Sequence, residues 1–179
     1  MPQTWRSRAR ILALQALCAF ENSGDAFDRD LEAFLLDPVH CADLGWARSP
    51  EPRTISLARS LAHETWRYRR RADEMLTRYV PQWSVGRMQV VDRNILRLGL
   101  YELFECPGTS HRVVLNEAIE LARMFGGAES PAFVNGILDG VRRASDAEAG
   151  IIPADEPEHG AVRPAAAPDG GAAEIPPRE

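Results

Sequence analysis

Apolar residues recur three and four apart along most of the 179-residue chain, and no stretch alternates cleanly with period two. That spacing belongs to helices rather than strands and predicts an all-α fold. A first helix is expected from Trp5 to Glu21, where "NSGD" follows and Gly24 supplies a stop. A second, "DAFDRDLEAFLLD", sets Phe27, Leu31, Phe34 and Leu35 on one stripe and is closed by Pro38. Residues 38–52 hold three prolines and a glycine, so they form a connector that tucks Trp46 onto the core. A long third helix covers "RTISLARSLAHETWRYRRRADEMLTRY" and ends before Pro81. Its stripe runs through Ile55, Ala58, Leu61, Ala62, Thr65, Tyr68, Ala72, Met75 and Tyr79.

The second half repeats the pattern. Val90 and Val91 lead into a helix for which Asp92 is a good N-cap. Ile95, Leu96, Leu98, Gly99, Leu100, Leu103 and Phe104 make it apolar over more than half its circumference, which predicts the most buried helix, at the centre of the fold. Gly99 inside it costs about 1 kcal/mol relative to alanine, so close packing of another backbone is expected there. "HRVVLNEAIELARMFGG" ends in a glycine pair that fits a left-handed C-terminal stop. In "SPAFVNGILDGVRR", Ser130 is placed to cap and Pro131 takes the first helical position, where its missing N–H is harmless.

Composition changes after Ser145. Residues 146–179 hold six of the thirteen prolines, no aromatic residue and a net charge of −6 (two Arg against eight Asp and Glu), too little apolar surface to fold. The expected organisation is therefore a helical domain over 1–145 and a disordered acidic tail over 146–179. The chain's formal charge of −5 belongs to that tail, since residues 1–145 carry 19 Arg against 18 Asp and Glu. Cys18, Cys41 and Cys106 are odd in number and far apart, with no C-x-x-C. With no signal peptide and no apolar run near the roughly 20 residues that cross a bilayer, a soluble cytoplasmic protein with free thiols is expected.

Catalytic arrangements are absent from the pattern: no phosphate-binding glycine loop, no metal-ligand spacing and no G-x-S-x-G elbow. The adjacent His40 and Cys41 lack a second ligand pair, and His63 and His111 read as structural or solvated. No cofactor, metal or enzymatic activity is expected.

The arginines carry the remaining chemistry. All 21 basic residues are arginine, and each presents a planar fork suited to phosphate and to stacking on bases. Arg6, Arg8 and Arg10 surround the start of the first helix, where cations oppose the helix dipole; either the end is simply solvated or a polyanion sits there. "RYRRR" at 67–71 has Glu64, Asp73 and Glu74 three or four residues away, which favours a salt-bridged face over a nucleic-acid site. Phe133, in the first turn of the last helix, is either a core residue or a stacking platform for an unpaired base, and Asn135 could read a base edge.

Four segments, "RSRARILALQAL", "DRNILRLGLYEL", "VVLNEAIELARMFG" and "SPAFVNGILDGV", resemble the signature segments of the NusB family of bacterial transcription antitermination factors, in order and at similar spacing over residues 4–144. The resemblance implies six to seven helices in two three-helix subdomains. It implies binding to the boxA element of nascent ribosomal RNA, as a heterodimer with the small-subunit ribosomal protein NusE, within an RNA polymerase assembly that passes terminators. It assigns RNA contact to Arg6, Arg8 and Arg10 and to Phe133, with Asp92 and Arg93 flanking the same surface. Two positions depart from the family pattern: Ala132 stands where a lysine is usual, and Cys18 where many members have an aromatic residue. A fold retained for protein contacts with RNA binding weakened or lost is the alternative. A methyltransferase that carries a NusB-like module would need a nucleotide-binding domain, and no glycine-rich strand-to-helix turn occurs here.

Overall fold

The computed structural model describes residues 4–22, 26–37, 44, 46, 49–82 and 84–150. Among them run six α-helices and no strand: α1 (Trp5–Ala19), α2 (Ala26–Leu36), α3 (Pro52–Tyr79), α4 (Val90–Glu105), α5 (His111–Phe125) and α6 (Ser130–Glu148), with a 3₁₀ turn at Val85–Arg87 ahead of α4. The all-α expectation holds. Gly24, His40 and Cys41 lie outside the described residues, as do residues 151–179, most of the expected tail.

The helices form two groups of three. In the first, α1 packs along α3, and α2 runs antiparallel to α3 with Glu32 on Arg59 and Asp28 beside His63. Ala9, Ala13 and Ala16 on α1 and Ala58 and Ala62 on α3 are fully buried, and side chains this small let two backbones approach closely. Phe27 of α2 stacks on Trp66 at 4.5 Å, and Phe20 meets Phe27 edge-on at 6.0 Å. Because Trp66 and Phe20 both pack on Phe27 at one end while Arg53 and Trp5 meet at the other, α1 and α3 run parallel and begin side by side.

The second group is α4, α5 and α6. Its helix α4 also packs on α1 and α3 and so joins the halves. Ile95, Leu96, Leu98 and Leu100 are each at most 1% exposed, as the all-round apolar pattern predicts. Each such side chain contributes about 1.5–3 kcal/mol by leaving water. Residue by residue, long elements follow the sequence closely, and the differences sit at ends and at close contacts. α4 begins at Val90 after Gln89, so Asp92 is not the cap: it lies within the first turn, buried. Gly99 is approached by the Leu138 side chain of α6 rather than by a backbone, with Leu138 Cδ1 2.8 Å from where a Cβ would stand. Gly126 closes α5 with extended backbone (φ −92°, ψ −176°), not a left-handed one. What requires glycine there is Ser130, whose Cβ would lie 2.5 Å from a side chain at 126. Ser130 is the first helical residue of α6 instead of its cap, and its hydroxyl accepts from the Gly127 N–H at 2.9 Å. α6 continues to Glu148, past the composition boundary at Ser145, because Asp146 pairs with Arg142 at 2.7 Å and Glu148 with Arg78 at 2.9 Å.

Two buried polar clusters fasten α4 to its neighbours. Arg10 of α1 donates Nε and Nη2 to Glu102 of α4 at 2.8 and 2.6 Å, with both side chains 5% exposed, and Glu117 of α5 stands 3.7 Å from Arg10 Nη1. Arg97 of α4 grips Asp73 of α3 with Nε and Nη2 at 2.8 and 2.7 Å and reaches Glu21, just beyond α1, at 2.9 Å. Removing one partner of such a pair leaves a charge without its counterion in a low dielectric. Glu102→Ala is therefore expected to lower unfolding free energy in urea by about 3–5 kcal/mol, whereas replacement of the exposed Glu120 by alanine should change it by less than about 1 kcal/mol.

Candidate nucleic-acid interface

The site is the end of the molecule where α1 and α3 begin. Thr4 caps α1, its hydroxyl accepting from the Ser7 N–H at 3.1 Å, and no acidic residue occupies the first turn to offset the dipole. The Ser7 hydroxyl in turn donates to Glu117 Oε1 at 2.9 Å, which ties this end of α1 to α5. Arg6 is exposed, its guanidinium 4.4 Å from the centre of the Trp5 ring, and Arg53 of α3 covers the same ring at 5.0 Å. Arg8 lies 4.8 Å over Trp46, and its buried Nε has no hydrogen-bond partner among the described residues. Two helix N-termini and three guanidiniums thus share one end, and two indole faces hold the cations in place without neutralising them. Among the described residues only Arg53 of the three has a carboxylate close by, Glu51 at 2.6 Å, with both side chains more than half exposed, a setting in which such a pair contributes little.

The predicted site residues divide accordingly. Arg6 and Arg8 stand at this end with their charges available. Arg10 does not: it is turned inward onto Glu102 and is 4% exposed. Arg93 is likewise engaged, its Nε on Glu21 at 2.8 Å and its Nη1 on the Val85 and Met88 carbonyls at 3.1 and 2.9 Å. Asp92 is buried, with Oδ1 lacking a hydrogen-bond partner among the described residues. Phe133 is half-buried against the core and Asn135 is exposed, both on the first turns of α6. α6 packs on α5, the helix whose Glu117 holds Ser7 and Arg10, so α5 links the two ends. Trp5 and Arg53 were missed in the sequence. The available signal was an aromatic residue beside an arginine in the first turn of α1 and a further arginine in the first turn of α3, which a parallel packing would align.

Cys18 faces inward, its Sγ 3.8 Å from Asn94 Nδ2, and burial pushes the thiol up to about 11 against that hydrogen bond. It is neutral at physiological pH. Glu21 is the acidic hub of this region: burial opposes its charge, but the hydrogen bond from Asn94 and the Arg97 and Arg93 guanidiniums outweigh burial and hold its carboxyl below the usual range.

An all-helical protein built from two fused three-helix groups, with a cationic and aromatic end and no cluster of potential metal ligands among the described residues, is the class that fold and site define. The NusB family model matches residues 7–143, and the chain belongs to the NusB family. The transcription antitermination protein NusB of Symbiobacterium thermophilum is 37% identical over 146 residues, covering 81% of this chain and 94% of that protein. A structure of T. maritima NusB superposes with a TM-score of 0.65 at 32% identity, covering 79% of this chain and 92% of that one. At 21% identity and a TM-score of 0.64, the fold is also that of a chain in a crystal structure of antitermination factors NusB and NusE in complex with dsRNA, over 78% of this chain and 97% of that chain. No described helix is long and apolar enough to cross a membrane.

The Glu21 cluster gives a pH dependence of definite sign. A carboxyl whose folded pKa lies below its unfolded value stabilises the fold above the unfolded value, about 4.3 for glutamate, and loses that contribution as pH falls through the folded value. Stability measured by urea unfolding should fall on acidification below about pH 4.5, and Glu21→Gln should flatten the part of the slope that Glu21 supplies while lowering stability at neutral pH.

Proposed function

We propose that this chain is a non-enzymatic antitermination factor that binds the boxA element of nascent ribosomal RNA as a heterodimer with NusE, within an RNA polymerase assembly. The observation that carries this reading is the α1 end. Arg6 and Arg8 stand against indole rings at the start of α1, and Arg6 is exposed there, so its guanidinium can meet a phosphate oxygen. RNA would contact Arg6 and Arg8 directly. Phe133 would offer a ring edge and Asn135 an amide to an unpaired base, from α6. Arg10, Asp92 and Arg93 act behind the surface: Arg10 fixes α1 against α4 and α5, and Arg93 fixes Glu21, so they set where the RNA contacts stand. Loss of the usual lysine at Ala132 shifts the electrostatic share of binding onto the α1 end. Residues 1–145 supply the RNA-binding unit, and residues 146–179 an acidic segment that competes for its basic surface at low salt.

The test is fluorescence anisotropy with a short boxA-like RNA, with and without NusE. Arg6→Ala/Arg8→Ala should weaken binding by about tenfold or more (about 1.4 kcal/mol) with the circular dichroism spectrum and melting unchanged, and should reduce the slope of log affinity against log salt by about 1.4. Arg10→Ala should instead lower stability. RNA that binds neither alone nor with NusE would favour the alternative, a NusB fold kept for protein contacts. Truncation after Gly150, which spares Asp146 and Glu148 in their ion pairs, should tighten RNA binding at low salt; unchanged affinity would remove the competing role of the acidic segment.

A further inference from the structure

α3 carries a second cationic surface that the α1 end does not use. Arg67, Arg70 and Arg71 are exposed. The carboxylates that their sequence neighbours offer are largely committed elsewhere: Asp73 holds Arg97 at 2.7 Å and Glu64 faces His63 Nδ1 at 3.0 Å. Among the described residues Arg67, Arg70 and Arg71 therefore do not form the salt-bridged face expected from "RYRRR". Glu74, one turn beyond, is in no ion pair among the described residues, and Arg71 lies beside the Tyr68 hydroxyl, with the Glu105 charge nearby. Arg69 is the member turned away, stacked on Trp66 at 4.0 Å and donating to its carbonyl at 2.5 Å.

This surface is continuous with the α1 end. At 100° per residue, Arg53, Ser56, Ser60, Arg67 and Arg71 fall within about 60° of one another around α3, with Arg70 about 40° further round. A shallow cleft lined by Ser56, Arg59, Ser60 and His63 lies between the Trp5–Arg53 stack and the arginines. The row from Arg53 to Arg71 is about 27 Å long, the span of about 8 nucleotides at 3.4 Å each. The six named residues present guanidiniums and hydroxyls, with the Glu64 carboxylate beside the row, Glu74 just beyond it and no aromatic platform among the six, a set that contacts phosphate and ribose without reading bases.

We infer that the exposed face of α3, from Arg53 to Arg67, Arg70 and Arg71, is a sequence-independent track for the single-stranded RNA that flanks the segment held at the α1 end. The inference rests on the RNA-binding reading above and extends it to a second surface. Three guanidiniums neutralising three phosphates should steepen the dependence of log affinity on log salt by about 2.

The experiment compares the short boxA-like RNA with the same RNA extended by about 8 nucleotides of arbitrary sequence on either side in turn, by anisotropy across a salt series. One extension should bind more tightly and with the steeper slope. Arg67→Gln/Arg70→Gln/Arg71→Gln should abolish that gain and leave the short RNA unaffected, and the corresponding triple lysine variant should retain it. Circular dichroism checks that both variants are folded. If the short RNA binds and neither extension gains, or if the glutamine variant keeps the gain, the track is wrong and the α1 site stands. If neither RNA binds, both assignments fall.

Discussion

The structure depends on a helix that is buried on nearly every side and still carries charge. α4 contacts α1, α3, α5 and α6, and Asn94, Arg97 and Glu102 lie inside with its leucines. An ionised group in that setting is tolerated only if a counterion and hydrogen bonds meet it. Each charge on α4 therefore dictates where another helix must be: Glu102 requires Arg10 of α1, and Arg97 requires Asp73 of α3 and Glu21 just past α1. Apolar packing alone would tolerate some sliding of α1 along α3. The two bidentate pairs fix their register, because a one-turn slip of about 5.4 Å would strip both charges of their partners.

That register reaches the surface. Arg10 is a turn and a half from the N-terminus of α1, so holding it to Glu102 and Glu117 fixes the direction in which Arg6 and Arg8 leave the helix. Ser7 adds a second anchor on the same Glu117. The cationic end is thus carried on a rigid support, and its tryptophans keep the Arg6, Arg8 and Arg53 guanidiniums over flat indole faces. One carboxylate, Glu117, serves both the interior pair and the surface helix end, which couples the stability of the fold to the placement of the proposed RNA contacts.

Much of this was legible in the sequence, and what was not has a common physical cause. Periodicity located six helices and identified α4 as central, since an all-round apolar pattern has one solution in a soluble fold. The connector's Trp46 was placed on the core and is half-buried there. Helix ends and close contacts were harder. Asp92 and Ser130 have the right chemistry for caps, but position within a turn is decided by tertiary packing: Asp92 is drawn inside with α4, and Ser130 is used by the α5–α6 turn. At Gly99 the sequence showed that space was short without showing what filled it, and at Gly126 it pointed to a left-handed stop where the close approach of Ser130 is what requires glycine.

The division of the arginines is the clearest case. Composition treats all 21 alike, and three of them at the start of α1 read as one basic cluster. Position along the helix separates them: Arg10 lies within the stretch from Ala9 to Leu17 that is buried almost all round, whereas Arg6 lies a turn nearer the open end of the helix. An arginine flanked by core residues on both sides along the helix brings its charge into the core, and a bidentate carboxylate is what makes this possible. The same logic governs α3 in reverse. Arg67, Arg70 and Arg71 have acidic neighbours at ion-pair spacing, yet the interior claims Asp73 for Arg97 and the surface is left positive. Local charge pairing is a competition that a buried partner wins, because an ion pair is stronger away from water. The charge left exposed on α3 is therefore a consequence of the core's requirement for counterions.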